Sequence, residues 1–187
     1  VTDATWLLRR TPTHEHRPEA TLRHWAEVSE AFGRALAATH VPRDLPTTEA
    51  PGGRTGEELT LATYQRGRVT LYPEALEWAA GVAAGAGLSE FTLPVLRDCA
   101  VLHELAHHRL HGAQARRLRV ALGHAVLRIG SWRWWGYVAG AEEVVAHSYA
   151  QAVLGLARSP VALTRALAES LSAVPATQPS WSRRWDS

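Results

Sequence analysis

The chain has 187 residues, 46% apolar and 20% charged, an ordinary globular balance that suits one domain with a real core. One cysteine, Cys99, excludes an internal disulfide, and no run of about 18 apolar residues is present to span a membrane. A formal charge of +2 is too small to argue for nucleic acid by itself, and Trp6-Leu7-Leu8 is broken by Arg9-Arg10 before it reaches signal-peptide length, so the expected location is cytoplasmic.

Residues 1–17 are polar, carry Pro12 and read as an N-terminal arm. A helix is predicted from Pro18, a good first-turn residue, with Leu22, Trp25, Phe32 and Leu36 forming its buried stripe. Pro42, Pro46, Pro51, Gly52, Gly53 and Gly56 mark a loop over 41–56. A hairpin follows, with Leu59, Leu61 and Thr63 on one face, a turn at Gln65-Arg66-Gly67, and Val69 and Leu71 on the return strand. Pro73 opens a helix to about Ala84. Ser89 or Thr92 caps the next, which runs to about His111 and stops at Gly112. Residues 113–129 read as a helix with Leu118, Leu122, Val126 and Ile129 facing the core, and Ser131 to Gly140 as an irregular aromatic segment. Two more helices are predicted, from Glu142 to about Ala157 and from Val161 to about Ala173. Residues 174–187, with Trp181 and Trp185, read as a tail. The expected unit is therefore one α+β domain over 18–173, mostly helical, with a small sheet over the helix that carries the chemistry.

That helix reads Val-Leu-His-Glu-Leu-Ala-His-His-Arg-Leu-His over 101–111 and contains H-E-x-x-H as His103 to His107. Positions i and i+4 share a helix face, so His103 and His107 can reach one zinc ion. Glu104, next in sequence, lies toward the open side of the metal as a general base. A catalytic zinc needs a third protein ligand. Position 113 is Ala113, which removes the metzincin spacing. His111 is eight residues from His103, about 12 Å along a helix, and suits the helix end or the cleft. His108 points away from the pair, and His124 is an outsider. The best candidates are Glu142 and Glu143, with Glu143 preferred because His147 follows one turn later on the same face and can orient a ligand from behind.

The run H-E-L-A-H-H-x-L-H, followed by Glu143, Ala146, Tyr149 and Ala150, resembles the ImmA/IrrE family of bacterial and phage zincins. Glu142-Glu143-Val144-Val145-Ala146 is similar to a run in ArdC-type antirestriction proteins, which also place a strand pair before the metal helix. Short metallohydrolases of actinobacteria and their phages resemble this chain in size and composition. The resemblance covers roughly residues 58–155 and implies a zincin-like fold, bound zinc and a metallopeptidase activity with His103, His107 and Glu143 as ligands. The position of His147 is usually acidic or amide in these relatives.

Trp132, Trp134 and Trp135, with Arg133 and Tyr137, form an aromatic-basic cluster that reads first as a plug on the core and second as a stacking surface. Tyr137 or Tyr149 is a candidate to stabilise an oxyanion, with Tyr149 reading first as core. No acidic residue lies between Glu104 and Glu142, while Arg109, Arg116, Arg117, Arg119, Arg128 and Arg133 do. The expected partner is a peptide or protein substrate. The alternative is a nucleic-acid-interacting, antirestriction-type protein in which the Arg109–Arg133 segment binds and zinc is structural.

Overall fold

The computed structural model describes residues 2–41, 45–55, 58–129 and 132–173. The fold is α+β and mostly helical, with seven helices and three small sheets among the described residues. Two helices open the chain, α1 (Asp3–Arg10) and α2 (Glu19–Ala37). Short strands follow: β1 (Thr47–Glu49), β2 (Arg54–Thr55), β3 (Glu58–Leu59), β4 (Ala62–Gln65) and β5 (Arg68–Leu71). Then come α3 (Pro73–Gly85), α4 (Leu93–Arg109) and α5 (Ala113–Leu122). A hairpin of β6 (Ala125–Ile129) and β7 (Trp132–Trp135) precedes α6 (Ala141–Leu154) and α7 (Pro160–Ala173).

The expected arm is a docked helix. The Thr2 hydroxyl accepts the Thr5 amide at 3.3 Å, Asp3 sits in the first turn, and Ala4 and Leu8 fall on one buried face. Arg9 then donates to the Arg17 carbonyl at 2.7 Å and to Glu19 at 2.8 Å, which ties α1 to the start of α2. Two apolar residues four apart are enough to seat a short helix, and polar neighbours hide that stripe in the sequence.

The predicted hairpin forms, with a different inward face on its first strand. Arg66 (φ 50°) and Gly67 (φ 81°) make the two-residue turn, and β4 pairs antiparallel with β5, Ala62 opposite Leu71. The stretch 58–64 is not one strand. β3 pairs with β2, Thr60 donates to the Gly53 carbonyl at 2.7 Å, and β4 starts afresh at Ala62. That break shifts the register of the first strand by one, so Ala62 faces inward on β4 in place of the Leu59, Leu61 and Thr63 face, while Val69 and Leu71 are buried on β5 as expected. β1 joins the far side of β5 in parallel, which leaves β4 at the edge, against α4.

The predicted helix over 113–129 ends at Leu122. Gly123, at φ 66°, is its left-handed C-cap, and the apolar residues beyond it enter β6. Leu118 and Leu122 are buried as expected, but Val126 is 58% exposed. Residues expected to be irregular form β7, paired with β6 through Leu127 and Trp134. The expectations for the side chains of Arg128, Ile129, Trp132 and Arg133, and for the tail 174–187, lie outside the described residues.

The core has two parts, and α4 runs through both. Its Ala106 and Leu110 pack with α1, α2, α5 and α6. Its Leu96 and Ala100 pack with the sheet, α3 and α7. The H-E-x-x-H segment therefore falls at the seam between the two clusters, where Ala106 is buried in the first and His103, Glu104 and His107 are half-buried. On the first side Trp25 is 3% exposed and its indole N–H donates to the Leu122 carbonyl at 3.1 Å, satisfying a C-terminal carbonyl of α5.

Candidate metal centre

α4 presents His103 and His107 one turn apart, and α6 crosses beside it with Glu143 in its first turn. The three donors converge. His103 Nε2 lies 3.0 Å from His107 Nε2, Glu143 Oε2 lies 3.3 Å from His103 Nε2, and Glu143 Oε1 lies 3.1 Å from His107 Nε2. Donors around a tetrahedral zinc with bonds of about 2.0–2.1 Å stand about 3.3 Å apart. The donor chemistry and spacing of this trio fit such an ion. His147, one turn beyond Glu143, completes a second grouping: donor atoms of His103, Glu143 and His147 all lie within 4.8 Å of one another.

The surroundings tune these groups. Burial alone raises a carboxyl pKa, but hydrogen bonds and charge from His103 and His107 override it and hold Glu143 well below the usual carboxylate range. Burial lowers His107, yet the Glu143 carboxylate outweighs it and leaves His107 above its ordinary value. Burial and then the charge of His103 push His147 down to about 3, so it is a neutral imidazole at neutral pH. Its ring packs against His103, tilted by 55°, at 4.6 Å between centroids, and its Nε2 lies 3.4 Å from the Thr164 hydroxyl of α7. His147 thus packs against a ligand candidate and lines the same cleft.

Glu104 lines the cleft with the trio and makes none of their mutual contacts. Burial raises its pKa against the opposing pull of His103, His107 and the Tyr64 backbone amide on β4. A carboxylate biased toward protonation, next to open space and imidazoles, can accept and return a proton. The cleft holds about 530 Å³.

Other sequence candidates fall elsewhere. Glu142 neighbours the cluster without touching either imidazole, so the second acidic residue is the one that reaches in. His111 is exposed at the end of α4, and its ring neighbour is His108 at 6.1 Å between centroids; His108 in turn stacks on Tyr64. His124 packs edge-on against Trp25, in the other part of the core. Tyr137 is 57% exposed and is not among the residues that line the cleft; partial burial, then the charges of Glu142 and Glu143, raise its hydroxyl pKa. Burial pushes the Cys99 thiol up to about 12, so it stays protonated and inert at neutral pH. Tyr149 is fully buried, with its hydroxyl 2.5 Å from His40 Nδ1 and 3.2 Å from Arg109. Arg109 also donates to the Thr39 hydroxyl at 2.9 Å, so the end of α4 is tied to both α2 and α6. Arg116, Arg117 and Arg119 of α5 are exposed.

Sequence reasoning missed the wall opposite α4. Leu163, Thr164 and Leu167 of α7 line the cleft. Their spacing marks a buried stripe in the sequence, but nothing there says what the stripe faces.

No family model, no curated protein and no solved structure matches this chain.

Proposed function

We propose that this protein is a zinc-dependent hydrolase acting on peptide bonds. The observation that carries the reading is the convergence of His103, His107 and Glu143 donors at 3.0–3.3 Å in the cleft that Glu104 lines. These three side chains would hold the ion. Bound there, zinc supplies a Lewis acid for the scissile carbonyl oxygen. Glu104 takes a proton from the attacking water as the carbon–oxygen bond forms. It then delivers that proton to the nitrogen as the carbon–nitrogen bond breaks. The substrate is a peptide or protein. A cytoplasmic location goes with this reading, since the single cysteine needs no oxidising compartment. No helix among the described residues is long and apolar enough to cross a membrane.

Glu104→Gln is predicted to keep zinc and lose turnover by roughly 10²–10⁴-fold, because the amide keeps the shape and cannot accept a proton. Metal analysis and cleavage of a peptide library by parent and variant check this. A variant as fast as the parent sinks the mechanism. The exposed arginines of α5 favour a second reading, a nucleic-acid-binding protein with structural zinc. A parent that takes up zinc, cleaves nothing and binds DNA at low salt would support that one.

A further inference from the structure

We infer that the apolar end of the cleft is a side-chain pocket that selects a peptide bond flanked by a large uncharged apolar residue; this rests on the hydrolase reading of the same site.

The ionisable acidic and imidazole side chains of the cleft gather around the ligand cluster. Along α4 one face reads Leu96, Ala100, then His103 and Glu104, then His107, all lining the cleft. At 1.5 Å per residue, Ala100 lies about 5 Å and Leu96 about 10 Å below His103 along the axis. That is the reach of one side chain from a carbonyl held at the ligand cluster. Facing them across the cleft, α7 presents Leu163, Leu167 and Leu171, spaced i, i+4 and i+8 on one stripe. Phe91, 2% exposed, closes the floor.

Among the described residues that line the cleft, the carboxylates and imidazoles all belong to the ligand end: His103, Glu104, His107, Glu143 and His147. Among those described residues the inner end offers no counter-charge. A substrate Lys, Arg, Asp or Glu would lose its hydration there without a partner. A leucine- or phenylalanine-sized group fits the chemistry, and each added methylene that is buried favours binding by about fourfold.

The α7 wall is anchored before any ligand arrives. The Glu90 carboxylate accepts the backbone amides of Ala157 at 3.0 Å and Arg158 at 2.8 Å, which fixes the entry into α7. Further along, the Thr164 hydroxyl sits beside His147, so the wall is referenced to the ligand cluster itself. A preformed pocket discriminates by size more sharply than one that must assemble.

The test uses the full chain loaded with zinc and a series of straight-chain hydroxamates, from acetohydroxamate to hexanohydroxamate, titrated by calorimetry. Hexanohydroxamate is expected to bind at least about tenfold more tightly than acetohydroxamate. Ala100→Leu, which fills the pocket one turn below His103, should erase most of that gain. Leu171→Ser, a milder change at the half-buried rim, should reduce it if the first variant does not fold. Zinc content is measured for each variant alongside. Equal affinity across the series in zinc-loaded parent overturns the pocket and leaves the hydrolase reading standing. A parent that takes up no zinc overturns the hydrolase reading, and the pocket with it.

Discussion

Replacing Gly33 by alanine is expected to destabilise the protein, although the same change in an ordinary helix interior stabilises by about 1 kcal/mol. Gly33 lies where α2 crosses α6. A Cβ there would stand 2.6 Å from the Ser148 Cβ, 2.6 Å from the Val145 carbonyl oxygen and 3.0 Å from the Tyr149 amide nitrogen. Two of these three are backbone atoms, so no side-chain rotation relieves the clash and α6 itself must move. Overpacking of this kind costs about 1–3 kcal/mol, and a chain of this size loses about 2–4 °C of melting temperature per kcal/mol. Gly33→Ala should melt several degrees below the parent, and Gly33→Val should be worse by a further margin. Because α6 also carries Glu143 and His147, the surviving Gly33→Ala protein should hold zinc more weakly. Thermal melts by circular dichroism check the sign. A melting temperature at or above the parent's would mean that α2 and α6 do not approach this closely.

Glu143→Ala is expected to lower zinc affinity by more than about a hundredfold, whereas Glu142→Ala should leave it within a few-fold. The two carboxylates are adjacent in sequence, yet only Glu143 faces both imidazoles. Removing it takes away the one anionic donor and leaves two neutral ones, a greater loss than the roughly 10–100-fold caused by deleting a group behind a ligand. His147→Ala should fall within that smaller range, since the His147 ring packs against His103 and its Nε2 lies beside the Thr164 hydroxyl. Competition against a chromophoric chelator gives all three values on one scale. Equal losses for Glu142→Ala and Glu143→Ala would show general electrostatics instead of coordination.

The pairing of His103 and His107 on α4 was legible because i, i+4 spacing is a property of any helix, so the two had to share a face wherever the helix packed. Glu143 was legible for a similar local reason: it leads a helix with His147 one turn on. What lies across the cleft was not legible. α7 faces α4 across the cleft from residues more than 50 positions away, and an apolar stripe such as Leu163 and Leu167 matches many partners equally well. Local rules also failed at Gly123, where one left-handed residue ends α5 and turns a continuous helical pattern into helix and hairpin. The same holds at Thr60, where a change of strand partner reverses the inward face. At Gly33 the sequence gives no sign at all, since the need for glycine comes from the backbone of α6.

The central claim is that His103, His107 and Glu143 hold one zinc ion and leave a position open toward Glu104. Anomalous diffraction at the zinc edge, from crystals of the chain purified with its native metal, tests this directly. The account predicts one zinc per chain, bound by His103 Nε2, His107 Nε2 and a Glu143 oxygen, with its remaining position facing the cleft. No zinc at this cluster, or a zinc closed off by His147 as a fourth protein ligand, would contradict it.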